Sequence, residues 1–311
     1  MSLLLGFEAM PDTFDPVQVL RRTLQRSIRG FLVGPARPVN RTSTRRADRS
    51  DCEGLFGPQS VTWRVHSDAA ILVGGLRSLL MQTMHPLAMA GVAEHSAYRS
   101  DPTGRLWRTA AYVGTITFGT RSEAMAMVNS VRRVHVPVRG TVDGVRYSAN
   151  DPALLLWVHH TLVDSFLNSY QRFGGAPLSG ADADRYVAEQ AAVAQMFRSD
   201  QAATSTAELA RYFRMMKPEL RATAQAREAV RFLLMPPLSV AMRMPYALIA
   251  AAAVGSLPVG MRWDLRLPIL PATDALAVRP AAKALTRVID WALNAPEEAL
   301  PVSSQPTAMQ R

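Results

Sequence analysis

Six histidines, all between His66 and His160, are the first residues in this 311-residue sequence to weigh for chemistry. Neutral imidazole is the commonest metal ligand and the side chain that titrates near neutral pH. His135 falls on a helical pattern in line with Met125, Val128 and Val131 or Arg132. An apolar face ending in one histidine suits an axial haem ligand, with the apolar side chains packed on the macrocycle. A hydrogen-bonded core histidine is the competing reading. Arg132 and Arg133 stand close enough in sequence to pair with propionates. His159 and His160 point about 100° apart on a helix, so only one of them can face a given site. His159 is the second cofactor-binding candidate, and His85, which precedes Pro86, marks a kink.

Arginine supplies the other chemistry. After Asp101-Pro102, the residues Arg105, Arg108, Thr109 and Tyr112 recur at spacings that place them on one helix face. Leu106, Trp107, Ala110, Ala111, Val113 and Ile116 surround that face, so the helix is expected to be buried all round. A buried guanidinium needs an anion or several acceptors. The face is therefore either a network tying helices together or a pocket that positions a polar substrate, oxygen or a cofactor. Glu94 is the sole acid between Asp68 and Asp101; it is a partner for Arg105 or a general base.

Most other catalytic templates are missing from the sequence. It has no Gly-x-Gly-x-x-Gly after a strand, no phosphate loop, no Cys-x-x-Cys, no His-Glu-x-x-His and no Gly-x-Ser-x-Gly. The net charge of +10 arises from 35 basic against 25 acidic residues, and only Lys217 and Lys283 are lysines. Arginine grips carboxylates and phosphates in a planar fork, so the excess suggests acidic partners, a phospholipid surface or a carboxylate-bearing cofactor. Scattered through helical patterns, these arginines give no expectation of nucleic-acid binding. The lone Cys52 and a start without a cationic leader predict a cytoplasmic protein, with peripheral membrane association as the alternative.

The elements that must position these residues are almost all helices. Patterning predicts a helix over Pro16 to Phe31 and a basic flexible arm from Gly34 to Gly57. Helical segments follow from about Val65 to the break at Pro86. Asp101-Pro102 and Asp151-Pro152 each read as an N-cap followed by proline at the first helical position, opening helices to Phe118 and Phe173. Between them lie a helix over Arg121 to Val136 and a hairpin signature at Asp143-Gly144. Ser179 to Arg198, Thr206 to Met216, Thr223 to Met235 and Asp274 to Asn294 complete the helices. From Met244 to Met261 no charge occurs, but Pro245, Gly255, Pro258 and Gly260 interrupt the run, so a buried helix is expected before a membrane element. Arg243 and Arg262 flank it, placed either for lipid headgroups or where the chain returns to solvent. The tail from Pro296 is expected to fray.

Several ordered motifs carry a resemblance: Gly74-Gly75-Leu-Arg77, His85-Pro86, Gly91-Val92, His95-Ser96, Asp101-Pro102, Arg105-x-x-Arg108-Thr109, His135 and Trp157-Val-His159. Over residues 65 to 200 the chain resembles the helical oxygenase domain shared by the latex clearing protein, a rubber oxygenase, and the fungal oxygenase of mycophenolic acid synthesis. The resemblance implies an all-α fold with a multi-helix, globin-like haem-binding core, additional C-terminal helices and at most one short β-hairpin. It implies a helical oxygenase-like domain over 58–295, between the helix and arm of 1–33 and 34–57 and the tail of 296–311. It further implies a haem b cofactor with His135 as iron ligand, and O2 acting on a small apolar substrate of isoprenoid or lipid-like kind. Carried over by position, Glu94, Arg105, Arg108 and Thr109 are the expected catalytic residues. Arg108 departs from the lysine of the rubber-cleaving members. A cofactor-free lipid-binding protein with an arginine-lined anion pocket is the alternative, and a His/Glu non-haem iron site a third.

Overall fold

The computed structural model describes Arg21, Gln25, residues 54–96 and residues 102–294, the side chains of 102, 103 and 105–107 excepted. The expected helix over Pro16 to Phe31 (apart from Arg21 and Gln25), most of the basic arm, Asp101 and the tail lie outside the described residues. What is described is helical apart from one antiparallel hairpin. In chain order the elements are α1 (Val61–Ser67), α2 (Ile71–Gln82), α3 (Pro86–His95), α4 (Pro102–Phe118), α5 (Arg121–His135), β1 (Arg139–Val142), β2 (Val145–Ser148) and α6 (Pro152–Phe173). They continue with α7 (Gly180–Met196), α8 (Thr206–Met216), α9 (Ala224–Leu234), α10 (Val240–Ser256), α11 (Val259–Asp264) and α12 (Arg279–Leu293).

Local chemistry sets these boundaries. Asp151 accepts the Ala153 N–H at 2.8 Å and Pro152 opens α6. Thr120 and Glu123 form a reciprocal capping box at the start of α5. In the hairpin, Asp143 and Gly144 take φ of 51° and 81°, the left-handed pair that a two-residue turn between twisted strands demands. Gly174 closes α6 for another reason. Its φ is −74°, but a Cβ there would lie 2.7 Å from the Tyr170 carbonyl oxygen.

The core is centred on α2 and α6, joined by α9 and α10 around Leu80, Met81, Met84, Trp157, Ala229 and Ala253. Gly74 allows the close approach of α2 to α6, since a Cβ there would meet Phe166 Cδ1 at 2.8 Å and the Ser165 carbonyl oxygen at 3.0 Å. One helical turn on, Arg77 is only 2% exposed. Its Nη1 donates to Asp164 at 2.6 Å and to Ser165 Oγ at 2.7 Å, and its Nε donates to the Ser256 carbonyl at 3.2 Å. The Gly74-x-x-Arg77 motif is thus a clamp on α2, α6 and α10. A second cluster packs α1, α6 and α7 around Val65, Phe166 and Tyr186. A third places Phe56, Ile116, Ala124, Val128 and Val193 together and seats α4 on α5.

The uncharged stretch from Met244 to Met261 is the rest of α10, buried from Ile249 onward, followed by a break at Leu257-Pro258 and the start of α11. No helix among the described residues is long and apolar enough to cross a membrane. Arg262 is 4% exposed, paired with Asp274 at 2.8 Å and donating to the Pro268 carbonyl, so it holds neither a headgroup nor a solvent boundary. Asp274 also begins a π-helical turn, Asp274–Val278, where a continuous α-helix was expected.

The α1–α2 junction bears a titratable pin. Asp290 of α12 accepts the Ala69 N–H at 2.9 Å, and burial together with the Asp68 charge pushes its carboxyl from 3.8 up to about 6. A raised folded-state value favours the protonated form. Its stabilising contribution is complete below pH ~4 and is lost as the pH rises through about 6. Asp290→Asn keeps an acceptor for Ala69 and removes that loss. The expected result is a variant about 1 kcal/mol more stable than the parent at pH 8 and equal to it near pH 4, after discounting for partial exposure. Denaturant melts at the two pH values check this, and a parent that is the more stable at pH 8 would contradict it.

Candidate functional site

The end of α5 and the hairpin that follows hold the candidate iron ligand. Ala124 and Val128 are buried, and they continue through half-buried Val131 to half-buried His135, each three or four residues further along one helix face. The expected line began at Met125 instead. That residue is 44% exposed, so the apolar face is displaced by one position. His135 Nδ1 is buried and has no hydrogen-bond partner. Burial lowers the pKa of the ring against an opposing hydrogen bond with the Ala149 backbone, so the imidazole is neutral at pH 7. Neutral imidazole is the form that binds metals. Arg132 is half-buried and Arg133 exposed. Asn150 Nδ2 donates to the Arg132 carbonyl at 3.0 Å, fastening the chain after the hairpin to the last turn of α5.

Glu94 reaches the same hairpin from α3. Its Oε2 accepts from Tyr147 Oη at 2.7 Å, and neighbouring His95 makes a 3.1 Å hydrogen bond with the Arg139 carbonyl. Tyr147 is 5% exposed, and burial with the Glu94 carboxylate pushes its phenol up to about 12. The ring lies against Gly140, its cross-strand partner, where a Cβ would fall 2.7 Å from Oη. The hairpin therefore links Glu94 on one side to His135 on the other. Sequence reasoning missed Tyr147. The signal was a glycine opposite an aromatic across a Asp-Gly turn.

The polar face of α4 behaves differently from its expectation. Arg108 is exposed and Thr109 half-buried, so the helix is not buried all round. Tyr112 packs on Phe197 with ring centroids 6.3 Å apart, and Ile116 enters the core shared with α5. The side chain of Arg105 lies outside the described residues. Near the end of α4, Thr117 meets His66 at 2.7 Å and Phe118 stands edge-on to Trp63 at 4.8 Å, which fixes the helix to α1.

The remaining histidines divide into structural and open ones. His66 is fully engaged by Thr117 and by Tyr186 at 3.0 Å, and burial pushes it down to about 3. His160 is 1% exposed and its Nε2 accepts the Ala203 N–H at 3.0 Å, which commits it to the core. His159 is half-buried and pushed down to about 3 by burial and by His160, so it too is neutral. His85 caps α3 in an extended conformation, confirming the kink, and lies 5.9 Å from the Trp157 ring. Among the described residues, no three His, Cys, Asp or Glu side chains converge as metal donors. Glu94 and all six histidines are described, so the non-haem arrangement of Glu94 with two histidines is not formed. An open groove of about 600 Å³ is lined by Arg227, Trp263, Asp264, Arg266, Leu267 and Ile269, none of them a site candidate.

A family profile described as "ER-bound oxygenase mpaB/B'/Rubber oxygenase, catalytic domain" matches residues 63–291, about three quarters of the chain. No curated protein and no solved structure matches it significantly.

Proposed function

This chain belongs to the mpaB/rubber oxygenase catalytic-domain family, and on that premise we propose that it is a haem-dependent oxygenase acting on an apolar, isoprenoid or lipid-like substrate. Oxidative cleavage of a carbon–carbon double bond is the proposed reaction. The observation that carries the cofactor is His135: a neutral, partly buried imidazole with a buried and unpartnered Nδ1 at the end of an apolar helix face. These residues fit haem b. His135 would ligate the iron, Arg132 and Arg133 would pair with the propionates, and His159 would contribute as a second cofactor contact. When bound, the haem supplies the binding and activation of O2.

The chain's own residues supply position and proton handling. Arg105 and Thr109 are donors that orient O2 and stabilise charge as it develops. A guanidinium is a donor with no lone pair for a metal, so the role of Arg108 is electrostatic. Glu94 accepts a proton from the substrate at Oε1, while Tyr147 holds Oε2 and fixes the carboxylate on the hairpin side of α3. An apolar substrate leaves few polar groups to bind, so its orientation must come from shape and burial.

An absorption spectrum of the purified full chain, before and after adding haem, tests the cofactor. A Soret band is expected. Colourless protein that takes up no added haem would overturn the proposal. Arg105→Ala and Thr109→Ala are expected to retain the band and lose about 100-fold in turnover of a polyisoprenoid, the effect of removing one preorganised donor. Full activity in both variants would leave that helix face a structural role only.

A further inference from the structure

From Ala229 to Trp263 the sequence has three arginines and no aspartate or glutamate. Within this stretch α9 ends and α10 begins, and the connecting turn is fastened on both sides. Tyr246 Oη donates to the Leu233 carbonyl, and Arg243 Nε donates to the Leu238 carbonyl at 3.3 Å. The turn so held leaves Met235, Val240 and Met244 exposed by 73%, 76% and 79%. Val240 and Met244 are one helical turn apart and share a side of α10, whose buried residues begin only at Ile249. Arg231 stands one turn before Met235, and both it and Arg243 are exposed. Single exposed apolar residues are ordinary. Three large ones between 235 and 244 on a fastened turn make a patch that water solvates poorly, and such patches mark interaction surfaces.

We propose that the α9–α10 turn is a docking surface for an anionic phospholipid membrane. Met235, Val240 and Met244 enter the boundary between headgroups and acyl chains. Arg231 and Arg243, both exposed beside these residues in the chain, keep their guanidinium groups at phosphate depth. Charge decides between occupants. A second copy of the chain docked on this patch about a two-fold axis would set these arginines against their own copies with no acid in the segment to offset them, whereas an anionic leaflet is complementary. The contact is peripheral, because α10 contains Pro245 and is not long and apolar enough to span a bilayer.

The test is flotation of the full chain with vesicles of phosphatidylcholine, alone or mixed with phosphatidylglycerol, and it is independent of haem and of turnover. Binding is expected on the mixed vesicles, weaker at high salt and absent on phosphatidylcholine alone. Arg231→Gln and Arg243→Gln should each weaken it about fivefold, the equivalent of roughly 1 kcal/mol per arginine near an anionic surface. The triple variant Met235→Ser, Val240→Ser, Met244→Ser should lose it at least tenfold with its melting curve unchanged, since these side chains bury little in the fold. Three results would overturn the assignment. These are no binding by the parent chain, undiminished binding by the triple variant while Trp263→Ser abolishes it, or a concentration-dependent dimer that the triple substitution dissolves.

Discussion

His135→Ala is expected to give folded protein that no longer retains haem, whereas His159→Ala and His160→Ala keep most of it. The expectation follows from how the three imidazoles are engaged. His160 is committed to the Ala203 N–H and is enclosed by the core. His135, like His85 and His160, keeps a buried Nδ1 without a partner, but its ring, which burial holds neutral, is only half-buried and ends a helix face whose other members are apolar. An orphaned buried polar atom is costly in a finished structure, and coordination to a metal is one way to satisfy it. Losing an outer-shell partner of a ligand costs roughly 10 to 100-fold in metal affinity, so removing the iron ligand itself should cost more. Haem titration of the three variants, read at the Soret band, decides the matter, with circular dichroism to establish that each is folded. Loss of the cofactor in His159→Ala alone would move the ligand to α6.

How much of this could be read from residues alone depended on whether the governing interaction was local. The start of α6 follows from Asp151-Pro152, and the hairpin from Asp143-Gly144, because caps and tight turns are satisfied within a few residues. Long-range partners were illegible. Arg262 reads as a boundary in the sequence, yet it is buried against Asp274 and the Pro268 carbonyl. That same Asp274 begins a π-helical turn which helix periodicity does not encode. The bond of Tyr147 to Glu94 was illegible because it forms only once α3 has packed on the hairpin, although the facing Gly140 is a local partner within it. The apolar line to His135 was displaced by one position, since Met125 and Ala124 both fit a helical stripe and tertiary packing on Phe56 and Ile116 chose the alanine.

Arg77→Ala is expected to destabilise the fold by about 3–5 kcal/mol, the range for removing one partner of a buried ion pair. In a domain of this size that corresponds to a drop in Tm of roughly 10 °C. The guanidinium contacts three groups on two helices: Asp164 and Ser165 on α6, and the Ser256 carbonyl on α10. Alanine strands the Ser256 carbonyl and leaves a void beside Gly74, where α2 and α6 approach closely. The Asp164 side chain is 29% exposed and can recover some hydration, so Asp164→Asn should be milder, with an amide oxygen still accepting from Arg77. The double variant Arg77→Met, Asp164→Asn should regain part of the loss, because a methionine fills the space and no unpaired carboxylate remains. Denaturant unfolding of these proteins and of Arg77→Met alone closes the cycle and measures the coupling, and haem retention below the melting transition separates a clamp from a cofactor contact. Arg77→Ala protein within about 1 kcal/mol of the parent, the typical effect of an ordinary substitution, would mean that the helices hold together without the arginine. Cofactor loss in protein that is still folded would instead place Arg77 in the site.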